Sequence, residues 1–556
     1  MKLIKIKSIA ILAFMTAVVA TGCKKADFAV NTNPDAVTAS TVDYKSVLPA
    51  AQAYTASITA NQWRFLQSWL GFWSRSGNYQ SEDQIETYEF TNDFQAGIWN
   101  NYYYNANNYN FIVNNANAKG AGTYEAIGRI MKAFDFQVLV DIYGNIPYSE
   151  AFKGTDFKTP KYDDDVAIYN DLLRQCDIAI GLLKDPILSA PDANPAIATN
   201  DLMFQGNTTK WIKFANTLKL RLLIHASSTQ FTSTGAEVNS FAPGVDVAGE
   251  AAAIVAEGSG FLMQGETAQI EPGFSGTKPN PYYRTYRFTE TGTVAGSGDV
   301  TKANRYAVGS SDNGGYYQYD GDLRVNKLYA LPPQAPGSTA PGTVHRGTAF
   351  GQVSDNTLYP NDVGNKLSSV WGAGLLPTEA TSRAWIFTSV ESLFLQAEAI
   401  YRGLIPGDAQ TALNDAITES FVWLGLTSAN AATYIANNAT WPDVDITAGS
   451  VSSNQPGGGI YTILSQKWFA LNATSTLEVW TDFRRSDIEY GAAVDFDPGP
   501  PISIHPNNTH LTIPKRLFYP QNEYNYNAAN VGAETPNGGI DLFQPATQNN
   551  IFWDLN

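Results

Sequence analysis

The feature that most restricts the fold is a pair of helical patterns between Ser382 and Phe421. In the first pattern, apolar residues recur every three or four positions, as they do along one face of a helix: Ile386, Val390, Leu393, Phe394, Ala397, Ile400 and Tyr401. Gly403 predicts the end of this helix, and Asp408 predicts the N-cap of a second helix. The inner face of that second helix is rich in alanine: Ala409, Ala412, Leu413, Ala416 and Ile417. Small side chains let two backbones approach closely, so the segment predicts an antiparallel helix pair.

A pair of about forty residues has the size of one tetratricopeptide-like unit, although the consensus sequence of that repeat is absent. Such a unit cannot bury its apolar stripe alone, so the rest of the chain should supply helices that stack on it. Further helical patterns do occur: Tyr44 to Trp73, Phe94 to Ile112, Tyr124 to Val140, Val166 to Ile180, Lys210 to Ala226 and Ile460 to Trp480. The predicted fold is mostly α, with tetratricopeptide-like helix pairs forming an α–α superhelix.

One long stretch, 261–381, breaks this helical character. It is dense in Gly, Pro, Ser, Thr, Tyr and Asn and has no sustained helical period. About 120 residues is too long for an ordinary loop, so the stretch predicts a large irregular, loop-rich lobe inserted between helix pairs. The predicted organisation is then as follows: a signal peptide at 1–22, an extended tether at 23–43, a helical scaffold at 44–260 and 382–487, the lobe at 261–381, and an irregular closing segment at 488–556.

The first 22 residues have the parts of a secretory signal. Three lysines precede an apolar run from Ile9 to Ala20, which is too short to span about 30 Å of hydrocarbon as a membrane anchor. Small residues stand directly before Cys23, in an arrangement that resembles a lipobox. We therefore expect cleavage before Cys23 and acylation of its thiol, which would leave a soluble chain held to a membrane by lipid.

The charge balance and the cysteine count exclude two classes of interaction. Lys and Arg number 36 against 52 Asp and Glu, a formal net charge of −16, which argues against nucleic acid or an anionic membrane surface as a partner. Once Cys23 is acylated, Cys176 is the one remaining cysteine, so no intrachain disulfide is expected. Cys176 lies in a helical pattern and is assigned to the core.

Acidic and histidine motifs that could carry chemistry have simpler interpretations. Glu391 and Glu398 are seven residues apart on one helix, about 10.5 Å along its axis, whereas the paired carboxyls of glycosidases lie about 5–9.5 Å apart. Buried polar contacts within the helix stack are the favoured interpretation. Asp163–Asp165 is favoured as a helix cap over a calcium site. His505 and His510 lack a zinc-binding motif. No catalytic residue, metal or cofactor is expected.

Aromatic residues are the remaining candidates for function. The apolar faces of sugar rings stack on Trp and Tyr, while amides and charged groups bind the hydroxyls. Three clusters fit this pattern: Trp69, Trp73, Arg75, Asn78 and Tyr79; Tyr282, Tyr283, Arg284 and Tyr286; and Trp371, between glycines expected to be flexible. Trp69 is about as compatible with the core as with the surface. Helical stripes place four other tryptophans in the core: Trp99, Trp211, Trp385 and Trp468.

Several motifs together resemble the SusD/RagB family of outer-membrane nutrient-binding lipoproteins of Bacteroidetes. They occur in family order: Asn33-Pro34, DIYGNIPYSEAF (141–152), YDDDVAIYNDLL (162–173), KWIKFANTLKLRLL (210–223), ESLFLQAEAIYRG (391–403), QKWFALN (466–472) and IPKRLFYPQNEYNYNAANV (513–531). The resemblance implies four tetratricopeptide-like helix pairs and an irregular lobe that carries the binding face. It also implies a cell-surface location and a partner, a SusC-like TonB-dependent outer-membrane transporter that this chain would cover as a lid.

The expected function is therefore that of a non-catalytic lipoprotein, anchored in the outer membrane and exposed at the cell surface. It would bind oligosaccharides and deliver them to the SusC-like transporter. Two alternatives remain at this point. A RagB-like protein would bind peptides or protein fragments in a cleft with backbone-pairing polar groups, and a surface glycosidase, less favoured, would need two carboxylates facing each other across a cleft.

Overall fold

The structure is a computed structural model that describes most of the chain after residue 41. The described residues are 42–61, 63–75, 83–232, 236–270, 273–309, 315–319, 321–332, 342–353, 366–375, 380–448, 458–486, 502–535, 539–543 and 551–555. The predicted signal peptide, Cys23 and nearly all of the tether lie outside these residues. Within the described part, no helix combines the length and the apolar character needed to cross a membrane.

Helices dominate the chain on both sides of the irregular lobe. Those before residue 261 are α1 (Tyr44–Asn61), α2 (Arg64–Trp69), α3 (Asp83–Thr87), α4 (Ala96–Asn117), α5 (Gly122–Tyr143), α6 (Asp165–Lys184), α7 (Ile197–Asn200), α8 (Thr208–His225) and α9 (Val247–Glu257), with a 3₁₀ turn at Gly154–Asp156. Five short helices follow within the lobe: α10 (Pro281–Tyr286), α11 (Gly296–Val300), α12 (Arg305–Val308), α13 (Tyr316–Tyr319) and α14 (Val325–Leu328). The remaining helices are α15 (Ser389–Tyr401), α16 (Ala409–Trp423), α17 (Ser428–Asn437), α18 (Gly459–Leu471), α19 (Thr476–Arg485), α20 (Gln521–Tyr526) and α21 (Ala528–Glu534).

The six strands of the described residues form three small antiparallel pairs. Their bounds are β1 (Trp73–Arg75), β2 (Ser227–Phe231), β3 (Glu237–Phe241), β4 (Ala268–Ile270), β5 (Thr301–Ala303) and β6 (Ala384–Phe387). β2 and β3 form a hairpin, whereas β1 pairs with β5 and β4 pairs with β6. The last two pairs join residues far apart in sequence. β4 and β5 lie within 261–381, whereas β1 precedes this stretch and β6 follows it, so the two pairs attach the lobe to the scaffold segments before and after it.

Long helices pack on one another in the order that a stack of helix pairs requires. α4 packs on α5, α5 on α6, α6 on α8, and α15 on α16 and α18. The N-caps follow the sequence: the side chain of Asp164 accepts a hydrogen bond from the N–H of Ala167 at the start of α6, which confirms the capping interpretation. Cys176 on α6 is fully buried, as predicted. The mostly α fold class is confirmed.

The predicted helix pair at Ser382 to Phe421 is present as α15 and α16, with one difference at its start. Gly403 has a positive φ of 71° and ends α15, and Asp408 caps α16 by accepting from the N–H of Thr411 at 2.8 Å. The helix begins at Ser389 and not near Ser382, because Ala384–Phe387 forms β6 against β4. Assigning Ile386 to the helical stripe was therefore wrong.

Glu391 and Glu398 are buried and have polar partners within the helix stack, as predicted, and these partners include arginines. Both oxygens of Glu398 accept from Arg485 at 2.6 Å, and Arg402 donates to the same carboxylate at 2.8 Å. Burial would raise the pKa of Glu398, but the two arginines outweigh it and lower that pKa to about 2. Glu391 accepts from Arg221 at 3.0 Å. These carboxylates hold helices together, and the geometry leaves them no open cleft.

The end of the chain closes over the same buried region. His225, at the end of α8, lies between Asp141 and Glu478, with ring nitrogens 3.0 and 2.9 Å from their carboxylate oxygens. The indole N–H of Trp553 donates to Asp141 at 3.2 Å. The backbone N–H of Phe552 donates to the carboxylate of Asp165, the first residue of α6, at 2.9 Å. The last described residues thus complete the centre of the scaffold.

Candidate functional site

Two of the predicted aromatic clusters meet each other, but they meet inside the protein. The rings of Trp73 and Tyr286 have centroids 5.0 Å apart, and those of Tyr282 and Tyr286 lie 4.8 Å apart. All three side chains are at most 3% exposed. The expectation that they form an exposed platform for sugars was therefore wrong.

The burial of these rings follows from pairing that the local sequence does not reveal. Trp73 lies on β1, opposite Ala303 of β5. The tyrosines lie on the short helix α10 and not in a loop, because Asn280 caps that helix by accepting from the N–H of Tyr282 at 2.8 Å. The side-chain amide of Asn280 in turn donates to the carbonyls of Ser382 and Arg383, just before β6. These bonds hold α10 against the scaffold.

The other members of these clusters are distributed between the core and the surface. Trp69 is fully buried and stacks near Phe65 and Phe94, so its place is the core. Tyr283 is also buried. The remaining candidates are Arg75, which is half-buried, Arg284, which is exposed and pairs with Glu290 at 2.5 Å, and Asn78 and Tyr79, which lie outside the described residues.

A small cavity borders the buried rings. Its lining comes from α1, α2, β1, α10 and the turn before α19: Thr59, Ala60, Trp63, Arg64, Gln67, Trp73, Tyr282, Tyr286, Ala473, Thr474 and Thr476. Its volume of about 10 Å³ admits roughly one water molecule. It is too small for a monosaccharide, so this cavity is not the sugar site in the conformation described.

Among the described residues, Trp371 is the one predicted aromatic site residue that keeps an accessible ring. Its side chain is half-buried, with the ring of Phe288 6.3 Å away and the guanidinium of Arg287 5.9 Å from the ring centroid. Arg287 also donates to the carbonyl of Trp371 at 3.5 Å. We call these three residues the Trp371 patch. It offers an aromatic surface beside a guanidinium that can donate hydrogen bonds.

The glycines around Trp371 permit close packing beside the ring. A β-carbon on Gly372 would lie 2.2 Å from the carbonyl oxygen of Lys327, and one on Gly298 would lie 2.8 Å from the indole nitrogen of Trp371. Both positions need glycine because another part of the chain passes directly over them. These glycines are therefore explained by close packing around Trp371, which differs from the flexibility expected of them.

Mostly uncharged groups border the patch on the chain that follows Phe288. The hydroxyls of Thr289, Thr291 and Thr293 form a ladder with oxygen separations of 2.9 and 3.0 Å. The backbone of Lys302 pairs with that of Ser369, two positions before Trp371. Lys302 is half-buried, and burial lowers the pKa of its amino group. Hydroxyls next to an aromatic ring suit a neutral polar ligand better than a charged one.

Sequence reasoning missed one exposed tryptophan, Trp441, in the turn after α17. The signal that could have found it is local: it follows Asn437 and Asn438, precedes Pro442 and lies outside every apolar stripe. Among the described residues, no group of three or more His, Cys, Asp or Glu side chains is arranged to hold a metal ion.

A comparison with protein-family models gave one decisive match. Residues 35–263 and 344–520 match the SusD-like family described as "starch-binding associating with outer membrane". The chain belongs to this SusD-like family. Its members are binding proteins and not enzymes, and the family's description places them at the outer membrane.

Solved structures of other SusD-like proteins share the fold over almost the whole chain. A chitin-binding SusD homologue from Flavobacterium johnsoniae is 20% identical, with a TM-score of 0.64 over 92% of this chain and 99% of that one. A SusD-like protein from Bacteroides thetaiotaomicron is 20% identical, with a TM-score of 0.65 over 92% and 98%. A SusD homologue from Bacteroides fragilis is 19% identical, with a TM-score of 0.65 over 92% and 99%. At these identities the likeness shows the fold alone. A comparison with curated proteins gave no significant match.

Proposed function

We propose that this SusD-like protein binds neutral oligosaccharides at the Trp371 patch and delivers them to a SusC-like TonB-dependent transporter, which it covers as a lid. The observation that carries the binding proposal is the partly exposed ring of Trp371 with Phe288 and Arg287 beside it. A sugar ring can stack on the indole while the guanidinium and nearby hydroxyls bond its hydroxyl groups. The family's description as starch-binding and the chitin-binding homologue support a glycan as the ligand.

Replacing Trp371 with alanine tests the site. We expect the variant to bind malto- or chito-oligosaccharides with a free energy less favourable by about 1–3 kcal/mol, roughly 5- to 150-fold in Kd, because an aromatic contact is lost. Isothermal titration calorimetry measures the change. A matched control is Tyr526→Ala, which removes an aromatic ring that is 77% exposed on α20 and should leave the affinity unchanged.

Two results would contradict the proposal. Equal affinities for the wild type and Trp371→Ala, with both proteins folded, would remove the Trp371 patch as the site while leaving glycan binding in place. Binding of an unmodified peptide in preference to every oligosaccharide would favour the RagB-like alternative.

We also propose that acylated Cys23 anchors the protein. The support is the signal-like sequence before it and the association of the family with the outer membrane. We expect Cys23→Ser to move the protein from the outer-membrane fraction to the soluble fraction, whereas Cys176→Ala should remain with the membrane. Recovery of the serine variant in washed outer membranes would disprove lipid anchoring.

The same membranes, dissolved in mild detergent, test the partner, since a TonB-dependent barrel should copurify with the tagged wild type.

A further inference from the structure

Trp441 has the most exposed ring of all twelve tryptophans. All twelve lie in the described part of the chain: ten are at most 8% exposed, Trp371 is half-buried, and Trp441 is 37% exposed. Burying an indole removes a large apolar area from water and stabilises a fold. Trp441 therefore contributes less to the core than the ten buried tryptophans do, and part of its ring is open to a ligand.

The turn that carries Trp441 is firmly held, so the exposed ring is not part of a loose end. The N–H groups of Val444 and Asp445 donate to the carbonyl of Trp441 at 3.0 and 2.9 Å. Asp443, which is buried, accepts from the hydroxyl of Tyr316 in the lobe at 3.0 Å. Because its backbone is fixed from both sides, the indole can bind a ligand without first paying to order the loop.

The sequence that leads up to Trp441 is uncharged over a long stretch, and the first acidic residue after it, Asp443, is buried. Residues 420–442, which contain all of α17, include no Asp, Glu, Lys, Arg or His, in a chain whose net charge is −16. Thr433, Asn437 and Thr440 are exposed near the ring in sequence, and they offer hydroxyl and amide groups. An aromatic ring among neutral hydrogen-bonding groups suits a neutral, hydroxyl-rich ligand, whereas a charged ligand would find no counter-charge on this segment.

This uncharged segment begins beside the residues that follow Trp371. Gly374 packs so closely on the carbonyl of Leu424 that a β-carbon there would lie 2.7 Å from that oxygen. From Leu424 the chain turns into α17, whose ten residues span about 15 Å at 1.5 Å per residue, and then reaches Trp441. The uncharged segment thus passes beside Gly374, three positions after Trp371, and carries Trp441 near its other end.

We propose that Trp441 is a second sugar-stacking site, which binds the same neutral glycan chain that the Trp371 patch holds. This inference rests on the proposed function, because it assumes that the ligand is a glycan. Short oligosaccharides occupy the Trp371 patch alone, while a polysaccharide engages both tryptophans and gains affinity by linking two weak contacts. The second contact therefore selects long chains over short ones.

Two measurements on full-length protein test the proposal. In native affinity electrophoresis with soluble starch or glycol chitin, Trp441→Ala should bind the polysaccharide about tenfold more weakly or worse, because the linked contact is lost. Its calorimetric affinity for short oligosaccharides should equal that of the wild type. Tyr526→Ala is the matched control for loss of an exposed aromatic ring, and Trp441→Tyr should restore part of the polysaccharide binding.

Fluorescence gives a direct readout of contact. In a Trp371→Phe background, acrylamide should quench chiefly Trp441, since the other ten indoles are buried, and added polysaccharide should shield it. Unchanged quenching in saturating polysaccharide, or unchanged polysaccharide affinity in Trp441→Ala, would overturn the second site while the proposed function stands. Weaker copurification of the barrel with unchanged glycan binding would overturn it in favour of a protein contact. Failure of the wild type to bind any glycan would overturn both proposals.

Discussion

Trp73→Ala is expected to lower the free energy of unfolding by about 3–5 kcal/mol. The indole is 2% exposed and packs between β5 and the tyrosines of α10, with its ring 5.0 Å from that of Tyr286. Removing it leaves a cavity at the junction between the lobe and the helical scaffold, where the rigid pairing of β1 with β5 prevents collapse around the gap. Urea denaturation followed by circular dichroism measures the loss.

The matched control for this prediction is Trp371→Ala, whose ring lies in the lobe. Its ring is only half-buried, so its removal should cost about 1 kcal/mol or less. The two variants should therefore separate stability from binding: Trp73→Ala loses stability, and Trp371→Ala loses affinity. A Trp73→Ala protein with unchanged urea midpoint and lost glycan binding would show that Trp73 contacts the ligand after all.

Glu398→Gln is expected to destabilise the protein by about 3–5 kcal/mol. The substitution keeps the shape of the side chain but removes the charge that Arg485 and Arg402 share, and leaves Arg485 with Asp482 as its acidic partner. Both arginine side chains are at most 1% exposed. The arginines then remain buried with less compensating charge, which is the costly outcome for a broken internal ion pair. Chemical denaturation at neutral pH gives the difference.

The contribution of Glu398 to the stability of the protein should also depend on pH. Its pKa in the folded protein is lowered to about 2 from an ordinary value of 4.5, so its contribution to stability is complete above pH 4.5 and is lost as the pH falls towards 2. The stability difference between wild type and Glu398→Gln should therefore shrink below pH 4.5. Glu290→Gln, which breaks an exposed pair with Arg284, should change stability by less than about 1 kcal/mol. Equal, small effects of both substitutions would show that the buried carboxylate does not stabilise the scaffold.

The helices were predictable because their signals are local. The stripe through Leu393, Phe394 and Ala397 and the cap at Asp408 depend on residues within one or two turns, and the structure places α15 and α16 accordingly. β6 could not be predicted in this way. Its partner β4 lies more than a hundred residues earlier, and no periodic pattern within Ala384–Phe387 signals that pairing.

The candidate site was harder to predict because aromatic residues serve both cores and binding surfaces. Trp73 and Tyr282 are separated by more than two hundred residues, and only the tertiary fold brings their rings to 6.5 Å and covers them. Their irregular sequence context gave no sign of burial. Trp371 remained accessible, but the glycines beside it proved to permit close packing, a role that the sequence alone does not distinguish from flexibility.

The position of Trp553 has a consequence for how the protein is made. This residue donates to Asp141 across 412 positions of sequence, next to the buried ring of His225. The centre of the scaffold cannot be completed before residue 553 has been synthesised, because contacts between distant segments form only after both are available. A nascent chain that has not yet reached Trp553 therefore holds Asp141 and His225 without the indole that contacts them in the folded protein.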